Sequence, residues 1–434
     1  MSHIAAPTPK PLAPGARIAV IGGGISGIAS AWLLSRRYQL SLFEANDYVG
    51  GHTNTVDITL EGQTYPVDTG FLVFNNQTYP NLIALFDELK VPVHASDMSF
   101  GVSVDQGRVE WAGTDLGTVF AQRRNLLSPR FLGMLRDILR FNKAAPAYLQ
   151  AALAGGHTLG TLLDQERYGQ AFRDWYLLPM AAAIWSSSPA DILQFPAATF
   201  LRFCLNHSLL QVNDRPQWKT VLGGARLYVE RMLPAIHSVR RNTPVQSVER
   251  DAHGVTVRHG GSEERFDAVV LATHAPDTLA MLRDASTDER AILGSVRYQP
   301  NLAILHTDPG LLPRNCKVWS AWNYLAAGLQ HDAAVCVSYL LNQLQPLPFE
   351  TPVVVTLNPV QQPDPRHELA RFHYQHPVFD QAAIDAQQRL PSIQGQHRSW
   401  FAGAWTGYGF HEDGLKSALR VAADCDCLPD WARL

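Results

Sequence analysis

The stretch Arg17-Ile-Ala-Val-Ile-Gly-Gly-Gly-Ile-Ser-Gly27, followed by Glu44, decides the fold of this 434-residue chain. Ile18, Val20 and Ile21 predict a short buried strand, and Gly22, Gly24 and Gly27 give the G-x-G-x-x-G spacing where a strand turns into a helix. Each glycine has its own task. Gly22 permits the tight turn, Gly24 lets backbone approach a pyrophosphate, and Gly27 lets helix and strand lie close. The helix N-terminus, with Ile25 and Ser26 in its first turn, then presents N–H groups and a positive dipole end to an anion. Ile25, Ile28, Ala29, Trp32 and Leu33 follow helical spacing and predict one buried face. Ser41 to Phe43 read as the next strand. Glu44 closes it at the distance from the glycines where a carboxylate accepts hydrogen bonds from ribose hydroxyls. The unit predicts a nucleotide cofactor.

The residues after Glu44 narrow the cofactor. Asn46 to Thr53 carry the pair Gly50-Gly51 six residues beyond the acid, followed by His52. Tyr65-Pro-Val-Asp-Thr-Gly-Phe71 and Trp400-Phe-Ala-Gly-Ala-Trp-Thr-Gly-Tyr-Gly-Phe-His-Glu-Asp-Gly-Leu-Lys-Ser-Ala-Leu-Arg420 add two further glycine-bearing segments. Together these resemble the superfamily of flavin-containing amine oxidases, protoporphyrinogen oxidases and phytoene desaturases. That resemblance implies FAD, contacted by Gly22, Gly24, Ile25, Ser26, Gly27, Glu44, Ala45, Gly50, Gly51, His52, Thr53, Asp68, Thr69, Gly70, Val245, Thr273, Gly403, Asp413, Gly414 and Leu415. His52 stands where the family usually has arginine, and Ala404 where many relatives have an acid, with Asp413 as the substitute candidate. Gly414 is expected to admit a flat ring system at a helix N-terminus.

The implied fold class is α/β, with a discontinuous Rossmann-type FAD-binding domain and an α+β substrate domain of amine-oxidase type. Residues 16–75, 217–283 and 395–434 are assigned to the first, 76–216 and 284–394 to the second, and 1–15 to a disordered tail with no signal peptide. Trp218 to Tyr228 is expected to re-enter the FAD domain through Gly223-Gly224. Val255 to Val257 and Phe266 to Thr273 read as strands, the latter ending in a turn at Pro276. Helices are predicted over Tyr79–Lys90, Pro129–Leu153 and Gly169–Ile184, and strands over Ala334–Leu340 and Pro352–Leu357. Lys219 is a candidate for holding a water at the flavin, against the reading of a solvated lysine.

Flavin chemistry asks mainly for orientation, so no nucleophile or carboxylate pair is required. His411 beside Glu412, His207 in an apolar run, and Tyr408 are the catalytic candidates; Trp405, Trp319, Trp322 and Tyr324 are candidate cavity walls. No metal site is expected, since Cys425-x-Cys427 lacks a second cysteine pair. Five cysteines suggest free thiols of a cytoplasmic protein. A net charge of −3 gives no basic footprint, which excludes nucleic acid as an expected partner. Within that balance, residues 123–143 hold six basic side chains and one acid among Leu, Phe, Met and Ile, the pattern of a helix lying on anionic lipid or of an ordinary helix with a solvated basic face.

Ile184-Trp-Ser, Phe195-Pro-Ala, Asn206-His, Arg215-Pro-Gln-Trp-Lys-Thr-Val and Trp322-Asn-Tyr are similar to segments of a bacterial branch of the superfamily associated with fatty acyl chain modification. The resemblance implies an FAD-dependent desaturase or dehydrogenase acting on a lipophilic substrate, a methyl-branched acyl chain of membrane lipid, at the inner face of the membrane. An amine oxidase for a small amine or polyamine is the alternative enzyme. A flavoprotein without turnover, partnering a lipid-modifying enzyme, is the alternative from another class.

Overall fold

A computed structural model describes residues 12–185, 187–211, 215–326 and 336–434. Five parallel strands form the first sheet, in the spatial order Ser238–Arg240, Gln39–Phe43, Arg17–Ile21, Ala268–Leu271, Ser399–Phe401. Three sequence segments therefore meet in one sheet, and the loops at its carboxyl edge converge, as expected where such sheets bind nucleotides. Apolar runs such as Ile18 to Ile21 and Ala268 to Leu271 are buried throughout, because helices and a second layer cover both faces.

Helix Ile25–Leu34 departs from the one-face expectation: all ten residues are buried. The C-terminal helix His411–Asp424 packs on its outer side, with Leu415, Ala418, Leu419 and Ala422 in the same core. A Cβ on Gly414 would lie 2.7 Å from Ile25 Cγ2 and 3.0 Å from Ser26 Oγ, so this glycine permits helix–helix approach rather than admitting a ring. Pro276 likewise opens a helix, Ala275–Met281, instead of a turn; proline suits the first helical turn, where an N–H has no intrahelical partner.

The second large sheet has seven strands in the order Glu368–Val378, Arg297–His306, Val354–Leu357, Cys336–Leu340, Trp322–Ala326, Phe100–Val104, Val109–Ala112. Trp322–Ala326 pairs in parallel with Phe100–Val104, joining distant segments; the other pairs are antiparallel. Helices Pro80–Glu88, Pro129–Gly155, Leu178–Trp185 and Ala197–Asn206 lie in the segment assigned to the substrate domain. The small sheet of Phe74–Asn75, Trp218–Val221 and Val93–Ser96 ties that segment to the one carrying Gly223-Gly224. Of the predicted tail, residues 1–11 lie outside the described residues; Gly15 N donates to Arg37 O, so the rest includes a turn held on the connection before strand Gln39–Phe43. Ala334 and Val335 of the predicted strand also lie outside them.

Candidate active site

A cavity of about 780 Å³ opens at the carboxyl edge of the parallel sheet and continues beneath the seven-stranded one. Its volume is in the range of small-molecule sites. At one end stand Gly22, Gly23, Gly24, Ile25, Ser26, Glu44, Ala45, Gly50 and Gly51, with Val245 and Thr273 close by. Gly22 has φ +101°, and a Cβ there would meet Ala272 O at 2.7 Å. A Cβ on Gly27 would lie 1.8 Å from Gly22 O, so Gly27 sets helix against strand and does not line the cavity. Gly24 is the opposite case. Nothing lies within 4 Å of a Cβ built there, and no side chain caps the helix that follows, so its backbone edge faces open space at a helix N-terminus. A diphosphate fits that cradle.

Glu44 is buried at the strand end, where its Oε2 accepts from Gly23 N (2.7 Å) and its Oε1 from Asn46 N (2.8 Å) and Nδ2 (2.9 Å). Those bonds hold the carboxylate on the cavity wall with one lone pair, on Oε2, left for a ribose. Gly23 belongs to the site although the sequence pattern did not select it: a Cβ there would come within 2.6 Å of Glu44 Oε2. The middle glycine of the Gly22-Gly23-Gly24 run was the available signal.

Several expected contacts are relocated. Asp68 is buried off the cavity, where it accepts from Thr55 Oγ1, Ala225 N (2.9 Å) and Gln345 Nε2 (3.0 Å). It brackets the Gly223-Gly224 turn, and burial pushes its carboxyl up to about 6. Thr53 bonds Tyr228 OH (2.5 Å) and His411 Nε2 (2.9 Å) behind the wall. Asp413 accepts from Phe410 N (3.0 Å) as part of the box that starts the C-terminal helix, and neither it nor Gly414 nor Leu415 lines the cavity. Thr69, Gly70 and Gly403 do line it. Lys219 sits in the middle strand of the small sheet, away from it. Trp319 and Tyr324 are also elsewhere, whereas Trp322, Trp405 and Tyr408 are wall residues.

His411, the catalytic candidate, and its neighbour Glu412 face different partners. Glu412 turns away to accept from Asn81 N, Asn81 Nδ2 and Leu82 N, capping helix Pro80–Glu88. His411 stacks on Phe71 at 3.7 Å, with Nε2 between Thr53 Oγ1 and Tyr228 OH, and burial drives its imidazole down to about 3. It is a neutral wall. His207 is differently placed. It lines the cavity, stacks on Phe203 at 3.9 Å, and has Nδ1 3.0 Å from Phe203 O. A carbonyl only accepts, so Nδ1 carries the proton and Nε2 keeps a free lone pair. Burial lowers this imidazole to about 4, leaving it neutral at physiological pH.

No lysine or arginine is among the cavity-lining residues described, and Glu44 and Asp277 are its charged members. His52 stacks on Tyr374 at 4.8 Å, lies 5.1 Å from the His376 ring, and its Nε2 has no partner. Burial, then the neighbouring His376, holds it well below the ordinary histidine value. The diphosphate is therefore left to backbone N–H groups and the helix dipole. Replacing His52 with arginine is expected to lower the Kd for the dinucleotide roughly tenfold, as a charge-assisted hydrogen bond would. Fluorescence titration of the stripped protein checks this; unchanged or weaker binding would place His52 away from the diphosphate.

Beyond this end the wall is apolar and aromatic, with Met98, Ile184, Trp185, Phe203, Leu209, Trp322, Tyr339, Leu357, Phe379 and Phe410. The sequence reading did not select strand Glu368–Val378, whose Tyr374 OH bonds Thr69 Oγ1 (2.8 Å) and Asn54 Nδ2 (3.1 Å) and so ties the seven-stranded sheet to the base of the hairpin Thr55–Leu60/Gln63–Asp68. Its alternation of Phe372, Tyr374 and His376 was the signal present.

The family of flavin containing amine oxidoreductases matches residues 25–307. A carotenoid phi-ring synthase of Streptomyces griseus is 28% identical over 332 residues, 68% of this chain and 58% of that protein. A carotenoid phi-ring synthase of Chlorobaculum tepidum is 30% identical over 168 residues, 36% of this chain and 23% of that protein. The chain thus spans less than two thirds of either curated relative. Among solved structures, the CLA-producing fatty acid isomerase from P. acnes is similar with a TM-score of 0.66 at 16% identity, over 94% of this chain and 98% of that one. Cyclohexylamine oxidase from Brevibacterium oxydans is similar with a TM-score of 0.65 at 17% identity, over 95% and 99%. At these identities the structural likeness establishes the fold.

Proposed function

The chain belongs to the flavin-containing amine oxidoreductase family and is an FAD-dependent oxidoreductase, and on that premise we propose that it desaturates or dehydrogenates a long apolar chain, a fatty acyl chain of membrane lipid, including a methyl-branched one. The observation that carries the reading is the wall from Met98 to Phe410, which offers an apolar substrate about ten hydrophobic or aromatic side chains and offers an ammonium no carboxylate. Glu44 stands at the ribose end, and Asp277 is paired with His274 at 3.1 Å. Phe203 stacks directly on Phe410 at 5.1 Å, and Trp322 meets Tyr339 edge-on at 4.8 Å, so neither pair holds two parallel faces open for a cation. The carotenoid named in both curated relatives is likewise a long apolar molecule.

Bound FAD supplies the acceptor for a hydride. The residues of this chain supply orientation, dryness and a place for the proton lost from the adjacent carbon. Apolar side chains hold the alkyl segment by excluding water from it. His207 Nε2 is the site for the proton, since its lone pair is free and the imidazole is neutral above about pH 4. Burial makes it a weak base, and it acts in a water-poor cavity lined by apolar side chains. His207→Phe keeps the stack on Phe203 and removes the lone pair; turnover should fall about a hundredfold with flavin content unchanged. Equal kcat in the two proteins would assign His207 to packing.

Lipid extracts of cells with and without the protein test the reading in place. The expected difference is confined to unsaturation of acyl chains. A change in amine pools with an unaltered acyl profile would favour the amine-oxidase alternative.

A further inference from the structure

We propose that the surface built by Leu116, Leu126, Leu127 and the outward stripe of helix Pro129–Gly155 docks on an anionic lipid bilayer. The inference goes beyond the acyl-chain reading and is tested without turnover, so either can fail alone. Six of the twelve large apolar side chains left exposed among the described residues fall between Leu116 and Leu153, which marks one surface as unlike the rest. Leu127 is 87% exposed, Leu116 77% and Leu139 62%.

The helix shows why this is a docking face and not an ordinary solvated one. Phe131, Met134, Ile138, Phe141 and Ala145 follow helical spacing on the inward side. Leu132, Arg136, Leu139, Lys143 and Gln150 recur at the same spacing on the opposite side, all exposed. An amphipathic surface helix puts polar residues there; this one alternates leucine with cation. Arg123, Arg124, Arg130 and Arg140 add exposed positive charge. Of the two acids between residues 113 and 143, Asp137 is buried between Arg136 and Arg140, which leaves Asp115, accepting from Thr118 N at 2.8 Å, as the one exposed acid against six exposed cations.

Leucines among cations match the boundary between headgroups and acyl chains, where leucine enters the apolar layer and long basic side chains reach back to phosphate. Charge complementarity therefore selects an anionic bilayer. No described helix is long and apolar enough to cross a membrane, so the contact is lateral. Helix Pro129–Gly155 packs on helix Ala197–Asn206, whose Phe203 lines the cavity, so this face and the cavity wall are separated by two packed helices.

Flotation of the FAD-loaded full chain with extruded vesicles tests the proposal. Vesicles containing phosphatidylglycerol should carry the protein, phosphatidylcholine alone should carry little, and salt should release it. The triple variant Arg123→Gln, Arg136→Gln, Lys143→Gln should lose roughly a hundredfold in partition, and Leu127→Ser with Leu139→Ser should lose the part that survives high salt. Flavin content and melting temperature should stay unchanged in both variants. Failure of the parent to float with anionic vesicles, or equal flotation of parent and variants, would overturn the proposal. So would a dimer in sedimentation that the leucine changes dissolve while vesicles bind neither protein, since a second copy would then cover the face.

Discussion

Gly24→Val is expected to give a folded, colourless protein, while Gly27→Ala is expected not to fold. The two positions lie three residues apart in one loop and helix, yet their surroundings are opposite. A Cβ at Gly24 meets nothing within 4 Å, and its φ of −70° and ψ of 177° suit valine, so the fold has no reason to change. The added methyls would instead occupy the cavity at the helix N-terminus, where the diphosphate must come into contact with backbone N–H groups. FAD affinity should fall by at least a hundredfold, about 3 kcal/mol. At Gly27 a Cβ would sit 1.8 Å from Gly22 O and 3.2 Å from Ala272 Cβ. The first of those is backbone, fixed by the turn and the strand behind it, so relief requires moving the helix off the sheet. Overpacking against yielding side chains already costs about 1–3 kcal/mol, and a backbone clash costs more. Circular dichroism and visible absorbance of the two purified variants separate the outcomes. A yellow Gly24→Val protein would show that the diphosphate lies elsewhere.

Mild acid, between about pH 7 and about pH 5, is expected to destabilise the protein through its buried histidines. Burial depresses His207, His306 and His376 to about 4 and His411 to about 3. His306 shows the reason in its bonds: Nδ1 accepts from Asp308 N at 3.1 Å and Nε2 faces Thr356 Oγ1 at 2.8 Å, so a second proton would set two N–H groups against each other. With folded values below the unfolded value of 6.5, the unfolded chain takes up the protons first. Stability is therefore complete above about pH 7 and is lost as pH falls through 6.5 toward 4. Each histidine gives up about 1–2 kcal/mol by pH 5, the lower figure for those facing the cavity. Asp68 and Asp413 work in the other direction. Their folded values, raised to about 6, add stability as pH falls, about 1 kcal/mol each. The net loss of about 3 kcal/mol is a large part of a typical folding free energy, and the melting temperature should drop by roughly 3 °C between about pH 7 and about pH 5. A melting temperature constant over that interval would mean these imidazoles are solvated.

The parallel sheet and its cofactor edge were legible because their signals are local. Gly22 to Gly27, the apolar strand before them and Glu44 beyond occupy one stretch whose spacing carries the geometry, and Gly403 announces the returning strand in the same way. What the sequence hid were the partners that close each group off. Gly414 looks like a cofactor glycine until helix Ile25–Leu34 is seen against it. Asp68 looks like a ligand until Ala225 N and Gln345, far along the chain, are found on its oxygens. The all-round burial of helix Ile25–Leu34 depends on a helix beginning at His411, nearly four hundred residues later, and periodicity within ten residues has no access to that. Strand Glu368–Val378 failed for a milder reason: its alternating face is made of tyrosine and histidine, which composition does not mark as a wall. His207 was selected for its apolar neighbours, but which nitrogen is free follows from Phe203 O, a backbone atom.

Anaerobic mixing of the FAD-loaded protein with candidate substrates reads hydride delivery itself, because loss of the oxidised flavin absorbance requires no assumption about the electron acceptor. Phospholipid bearing saturated or methyl-branched acyl chains is expected to bleach the flavin, more slowly in His207→Phe, while putrescine and cyclohexylamine leave it oxidised. Rapid bleaching by either amine, with acyl lipid inert, would make the protein an amine oxidase.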